Sequence, residues 1–233
     1  MIDITVAFPI GRTPEYRQYL PKCLESIKAQ TKKPYELLIV DDAAHLEFSE
    51  LGDLECRTRI YRFPWYFGVC AGLNACVSLS RTEWVFLMSC DDELLRVDFL
   101  ERAEATVERT QNRLAWYYPC IYYDKPEAEP KVRPWPVMAG LVNKELWLKT
   151  GGLHVMTEFI APDHAFKELL ERRIEGFEYI AIDDPEQPSY YSRYHKASYT
   201  ETIGKYGPVL EQYETARKIV ELWEPPKWTE GFR

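Results

Sequence analysis

Apolar residues along this chain fall into short runs, each closed by a turn signal, and the runs alternate between two periods. Ile4–Phe8 (ITVAF) is β-rich and continuous, and Pro9 is expected to end it. PKCLESIKAQ (21–30) places Cys23, Leu24, Ile27 and Gln30 at helical spacing, with Pro21 tolerable in the first turn. Glu36–Val40 (ELLIV) is a second buried strand and runs into Asp41-Asp42. Thr58–Phe63 alternates like a short strand, Gly68–Ser80 reads as a helix, and Trp84–Met88 (WVFLM) is a third apolar strand. Strands alternating with helices in this way predict an α/β fold with a mostly parallel sheet covered on both faces.

The second half is less regular. Asp124–Pro136 (DKPEAEPKVRPWP) holds four prolines in thirteen residues and is expected to be a loop. Val137–Val142 is expected to be a strand, followed by a helix over Lys144–Thr150 that Gly151-Gly152 stops. Asp163–Arg173 carries Phe166, Leu169 and Leu170 on one helical face, Glu178–Ile182 is strand-like, and Pro208–Trp223 reads as a last amphipathic helix. No internal repeat or linker interrupts the pattern, so a single domain over 1–233 is expected.

Composition narrows the function classes. With 46% hydrophobic and 28% charged residues the chain is of ordinary globular type. Its net charge of −8 disfavours a surface built to bind nucleic acid. Six cysteines, all within the first 120 residues and none in a CxxC pair, fit buried thiols in a reducing compartment better than a disulfide framework or a zinc site. The N-terminus lacks the basic start of a signal peptide, and no apolar stretch approaches the roughly 20 residues that span a bilayer. A complete, cytoplasmic protein is expected.

Candidate chemistry gathers where the strands end. In open α/β sheets ligands bind at the carboxyl ends of the strands, and both Asp41-Asp42 and Asp91-Asp92 stand there. Paired carboxylates suit Mg²⁺ or Mn²⁺, hard cations that keep waters for phosphates to displace. A solvated acidic turn is the other reading of Asp91-Asp92. At Asp41-Asp42 a carboxylate suits a base N–H or a ribose hydroxyl, or simply forms a turn. Asp163, following Pro162, is either an N-cap or a general base. His195 lies in the tyrosine-rich YSRYHKAS, where a packing role is the alternative. GVCAGLNA (68–75) lacks the GxGxxG spacing, and P-loop, HExxH and GxSxG motifs are absent, so dehydrogenase, P-loop kinase, zincin and serine-hydrolase readings fall.

Taken in order, ITVAFPI, YLPKCLESIKAQTKKPYELLIVDDA, FGVCAGLNACVSLSRTEWVFLMSCDDELL, GLVNKELWLKTGGLH, PDHAFKELLERR and YSRYH resemble family 2 of the glycosyltransferases over about the first 200 residues. The resemblance implies a GT-A fold: one Rossmann-like domain with a mostly parallel, mixed central sheet flanked by helices. Residues 1–95 would form the nucleotide-binding half, 96–207 the acceptor-binding half, and 208–233 a C-terminal helix and tail. It implies nucleotide contacts from Pro9, Asp41, Asp42, Asn74, Asp91 and Arg193, a metal held by Asp91, Asp92 and His195, and a catalytic base at Asp163.

This sequence departs from the family pattern at three places. Ser89 replaces the first acidic position of the DxD motif, Pro9-Ile10-Gly11-Arg12 lacks the aromatic of P-x-Y-N, and Leu73 stands where an arginine often precedes Asn74.

What the resemblance implies is an inverting transfer from a nucleotide-sugar donor, UDP-sugar by default, to a carbohydrate or other hydroxyl acceptor, with Mn²⁺ or Mg²⁺. Acceptor contacts are expected from segment 124–136, including Trp135, and from the tyrosine-rich tail. Two other readings stay open. A nucleotidyltransferase acting on a sugar phosphate would need a basic loop near the first strand, for which GRTPEYR (11–17) is the weak candidate. A catalytically degenerate GT-A binding module would fit the loss of the acidic residue at position 89.

Overall fold

Among the described residues, seven strands make the central sheet. The computed structural model describes residues 1–124, 131–133, 139–153, 162–184, 186–195, 218 and 221. The strands are β1 (Ile4–Gly11), β2 (Glu36–Asp42), β3 (Arg57–Arg62), β4 (Trp84–Leu87), β6 (Ala115–Tyr118), β9 (Gly140–Asn143) and β10 (Glu178–Ala181), in the spatial order β10-β6-β9-β4-β1-β2-β3. β1 pairs parallel with β2 and β4, β2 with β3, and β6 with β10, while β9 runs antiparallel between β4 and β6. A second sheet, in the order β5-β11-β7-β8, combines β5 (Glu93–Leu94), β7 (Ile121–Asp124), β8 (Lys131–Arg133) and β11 (Tyr190–Arg193).

The two faces of the central sheet bury separate cores, because successive side chains on a strand point to opposite sides. Val6, Phe8, Leu37, Ile39 and Phe86 face α2 (Leu20–Lys28) and α4 (Phe99–Thr110). Ala7, Leu38, Val40, Val85 and Leu87 face α3 (Val69–Leu79), α5 (Lys144–Thr150) and α6 (Pro162–Arg173). Each helix is held by its apolar stripe: in α2 the buried residues are Leu20, Cys23, Leu24 and Ile27, spaced for a single face. α5 begins on Asn143, whose side chain accepts from the Glu145 amide, and ends on Gly151 in the left-handed conformation, as the glycine pair predicts.

Three expectations need correction. Pro9 does not end β1, which runs on to Gly11 paired with β2. The Ala7 carbonyl accepts from the Met88 amide, so Pro9, two residues on, faces the same side, where β4 pairing has already stopped and a missing N–H breaks no ladder bond. The proline-rich stretch is not all loop, since Lys131–Arg133 forms β8 against β7. β2 continues through Asp41 and Asp42, so both carboxylates lie within the strand's last two positions. α4 and β6 were not anticipated. The helix expected over 208–223 falls, apart from residues 218 and 221, outside the described residues, as does Trp135.

Candidate active site

β4 stops at Leu87, and the chain turns through Ser89, Cys90, Asp91 and Asp92 before β5. Three adjacent carboxylates there would repel one another in an apolar setting, and the structure gives each its own partner. Asp91 accepts from the Ser89 hydroxyl at Oδ1, and its Oδ2 lies 2.9 Å from Nε2 of His195. Asp92 accepts from the Tyr190 hydroxyl at 2.7 Å and from the Arg193 amide at 2.8 Å. Glu93 forms an ion pair with the Arg193 guanidinium, whose Nε also donates to the Asp91 carbonyl at 3.0 Å. The side chains of His195 and Asp91 are only 8% and 7% exposed, so the pair is enclosed.

Strand pairing explains how these residues meet. β11 lies antiparallel to β5, with Tyr190 opposite Leu94 and Tyr191 opposite Glu93, which carries Arg193 and His195 past the Asp91-Asp92 turn. Burial pushes the Asp92 carboxyl well up from its ordinary range, and the neighbouring Asp91 charge adds to this. Burial likewise raises the Tyr190 hydroxyl, the Cys90 thiol within the turn, and the Cys23 thiol, which lies 3.8 Å from the Ser89 carbonyl oxygen. A wall of tyrosines closes the cluster. The ring of His195 lies 5.4 Å from that of Tyr16, which is in α1 (Pro14–Arg17), and 5.0 Å from that of Tyr19. The Arg193 guanidinium sits between the Tyr19 and Tyr191 rings, at 4.7 and 4.9 Å from their centroids. Tyr16, Tyr19, Tyr190 and Tyr191 were not singled out from sequence; the repeat of tyrosines in PEYRQYL and YYSRYH was their only signal.

The other sequence-predicted residues take varied places. Asp41 accepts from the amides of Ala44, His45 and Leu46 at 2.7, 3.1 and 2.8 Å and from Arg62 Nε at 3.3 Å, so it organises the turn that follows β2. Asp42 accepts from the Phe67 and Gly68 amides at 2.6 and 2.8 Å, fixing the loop that leads into α3. Pro9 packs against Gly72 of α3, where a Cβ would come within 2.6 Å of the proline Cβ. Asn74 is engaged on all sides: it donates to the Leu153 carbonyl at 2.8 Å and accepts from the Leu153 amide at 2.8 Å and the Trp147 indole at 3.2 Å. Asp163 stands in the first turn of α6, on the sheet face away from α2 and α4. In GRTPEYR, Arg12 stacks over Tyr66 at 4.6 Å, and Arg17 pairs with Glu50 at 2.9 Å.

The family described as Glycosyl transferase family 2 matches residues 14–156, more than half of the chain. The chain belongs to that family. Its mixed sheet and flanking helices are the GT-A fold. No curated protein sequence matches the chain. Among solved structures it is similar to TarS 1–349 of S. aureus in complex with UDP-GlcNAc, at a TM-score of 0.70 and 12% identity, covering 94% of this chain and 65% of that one. The same protein in complex with UDP gives 0.65 and 12% over 99% and 74%. TarS 1–349 without a named ligand gives 0.63 and 13% over 82% and 60%, so the family 2 chain spans about 60% of that structure. At such identities the likeness is one of fold.

A carboxylate oxygen of Asp91 and an imidazole nitrogen of His195 converge, and the other ring nitrogen, Nδ1, is buried with no hydrogen-bond partner among the described residues. Among the described residues no group of three or more His, Cys, Asp or Glu converges as a complete cage. One carboxylate and one histidine, completed by water and substrate phosphate, suit Mg²⁺ or Mn²⁺, which seldom occupy all-protein cages. No described helix is long and apolar enough to cross a membrane.

Proposed function

We propose that this family 2 protein is an inverting glycosyltransferase that moves a sugar from a nucleotide diphosphate donor, a UDP-sugar by default, to an acceptor hydroxyl. The observation that carries the reading is the enclosed cluster of Asp91, Arg193 and His195 where β4 ends. Asp91 and His195 would hold a divalent ion, Mn²⁺ or Mg²⁺, which when bound neutralises charge on a departing diphosphate. Arg193 adds fixed positive charge on the same side, held in place by the Asp91 carbonyl, Glu93 and two tyrosine rings. Asp163 would take the proton from the attacking hydroxyl. The carboxyl ends of β1 and β2 would receive the nucleoside, with Asp41 and Asp42 shaping the loops around it. UDP as the nucleotide is supported by the two TarS complexes of similar fold, which hold UDP-GlcNAc and UDP.

The test is thermal unfolding of the full chain against a panel of nucleotides and nucleotide sugars, with and without Mn²⁺. A ligand present at about 100 times its Kd stabilises by about 2.7 kcal/mol, well within detection. UDP and a UDP-sugar are expected to raise the melting temperature, and more so with Mn²⁺. If no nucleotide shifts the transition under either condition, the reading is wrong.

A further inference from the structure

Asp92 is adjacent to Asp91, yet its surroundings differ. Its Oδ2 accepts from the Tyr190 hydroxyl at 2.7 Å, and its Oδ1 accepts from the Arg193 amide at 2.8 Å. Tyr190 is 1% exposed, and its hydroxyl also accepts from the Ser89 amide at 3.2 Å. A single phenol oxygen thus ties the start of the acidic turn to its end. Through Arg193 the same carboxylate fixes the last residue of β11, two positions before His195. Both oxygens of Asp92 point into this knot, whereas Asp91 presents Oδ2 to the imidazole.

We infer that Asp92 is a positioning residue rather than a metal ligand: with Tyr190 it pins β11 to the acidic turn, so that His195 and Arg193 are delivered to Asp91. This rests on the reading of Asp91 and His195 as the ion and diphosphate site. Tyr19 completes the arrangement by covering both delivered side chains, the His195 ring at 5.0 Å and the Arg193 guanidinium at 4.7 Å. The contact between Asp91 and His195 bridges 104 residues of sequence, and β5 and β11 share only two paired positions. On its other side β11 pairs with β7, so it is the short link to the acidic turn through β5 that the buried knot of Asp92 and Tyr190 reinforces.

Tyr190→Phe separates the two roles because it leaves every carboxylate and His195 in place. The first measurement needs no metal: diethylpyrocarbonate modification of the full chain, followed residue by residue by mass spectrometry. His195 is expected to be protected in wild type relative to the exposed His45, and to react about tenfold faster in both Tyr190→Phe and Asp92→Asn, the factor given by losing one hydrogen bond of ordinary strength from an opening equilibrium. The buried Cys76 thiol, probed in parallel, should stay unreactive, which separates local release from global unfolding. The second measurement is Mn²⁺ affinity by electron paramagnetic resonance, where Tyr190→Phe is expected to reproduce most of the loss seen in Asp92→Asn. Unchanged His195 protection in Tyr190→Phe overturns the inference. So does an Mn²⁺ affinity that survives Tyr190→Phe but not Asp92→Asn, since Asp92 would then be a ligand. A wild-type protein that binds neither Mn²⁺ nor UDP, while His195 still responds to both substitutions, would overturn the proposed function and leave the positioning role standing.

Discussion

Nε2 of His195 lies 2.9 Å from Oδ2 of Asp91, although 104 residues separate them in sequence. The contact joins the end of β11 to the turn after β4, and both side chains are more than nine-tenths buried. Under the proposed function these two groups hold the ion against the diphosphate. His195→Ala and Asp91→Asn are each expected to lower transfer by about 100-fold or more, since stabilising the departing charge is worth several kcal/mol in comparable sites. Each should also abolish the extra melting-temperature shift that Mn²⁺ gives with UDP. Transfer by either variant at near wild-type rate would remove the pair from the mechanism.

Asp163 calls for a different signature. A general base acts on the acceptor hydroxyl and leaves donor binding alone, so Asp163→Asn should lower the turnover number by about 10²–10⁴ while the UDP-induced thermal shift persists. Loss of nucleotide binding together with transfer would instead place Asp163 in the donor pocket. Wild-type turnover would exclude it as the base.

How much of this was legible in the sequence differs element by element. Strands β2 and β4 were readable because a continuous apolar run leading into carboxylates is a local signal. Helix α5 was readable to the residue, since Gly151 is its left-handed stop. Pro9 misled because its effect on a strand depends on whether a neighbour is present, which the chain alone does not tell. The delivery of His195 to Asp91 was suggested by family resemblance alone, as the β5–β11 pairing has no local trace. Asp41 was expected at a nucleotide from its place at a strand end and Asn74 from the family resemblance; the backbone hydrogen bonds that each makes in the structure had no signal in the sequence.

Asn74 gives a stability prediction that does not depend on the chemistry. Its amide bridges α3 to the turn after α5 through both backbone groups of Leu153 and the Trp147 indole. Asn74→Ala would leave those groups without their partner in a partly buried setting, at a cost of about 1–3 kcal/mol. Denaturant titration should show a lower midpoint with an unchanged slope. An unaltered midpoint would mean that water replaces the amide without cost.

Gly140 tests packing where β9 passes β6. A Cβ there would come within 2.3 Å of the Trp116 indole nitrogen and 2.5 Å of the adjacent ring carbon, both belonging to a side chain 4% exposed. Gly140→Ala is expected to destabilise by about 1–3 kcal/mol because the indole must shift within a filled core. The Trp116→Phe background, with a smaller ring, should recover part of that loss. Equal destabilisation in both backgrounds would locate the strain elsewhere.

The cysteines supply the last prediction. All six are free, and five are buried, with only Cys56 partly accessible. Burial raises the Cys56 thiol from its ordinary value, though its hydrogen bond to Thr58 and the Lys33 charge act in the other direction. The Cys23 and Cys90 thiols are pushed up further, since burial there is complete and the Asp91 and Asp92 charges oppose a thiolate. Because the thiolate is the reactive form, iodoacetamide near neutral pH should label native protein at Cys56 alone, and slowly. Denatured protein should take up label at all six positions. Rapid native labelling of Cys23 or Cys90 would mean that the packing around the acidic turn opens readily, and that the enclosure of Asp91 and His195 is lost on the same timescale.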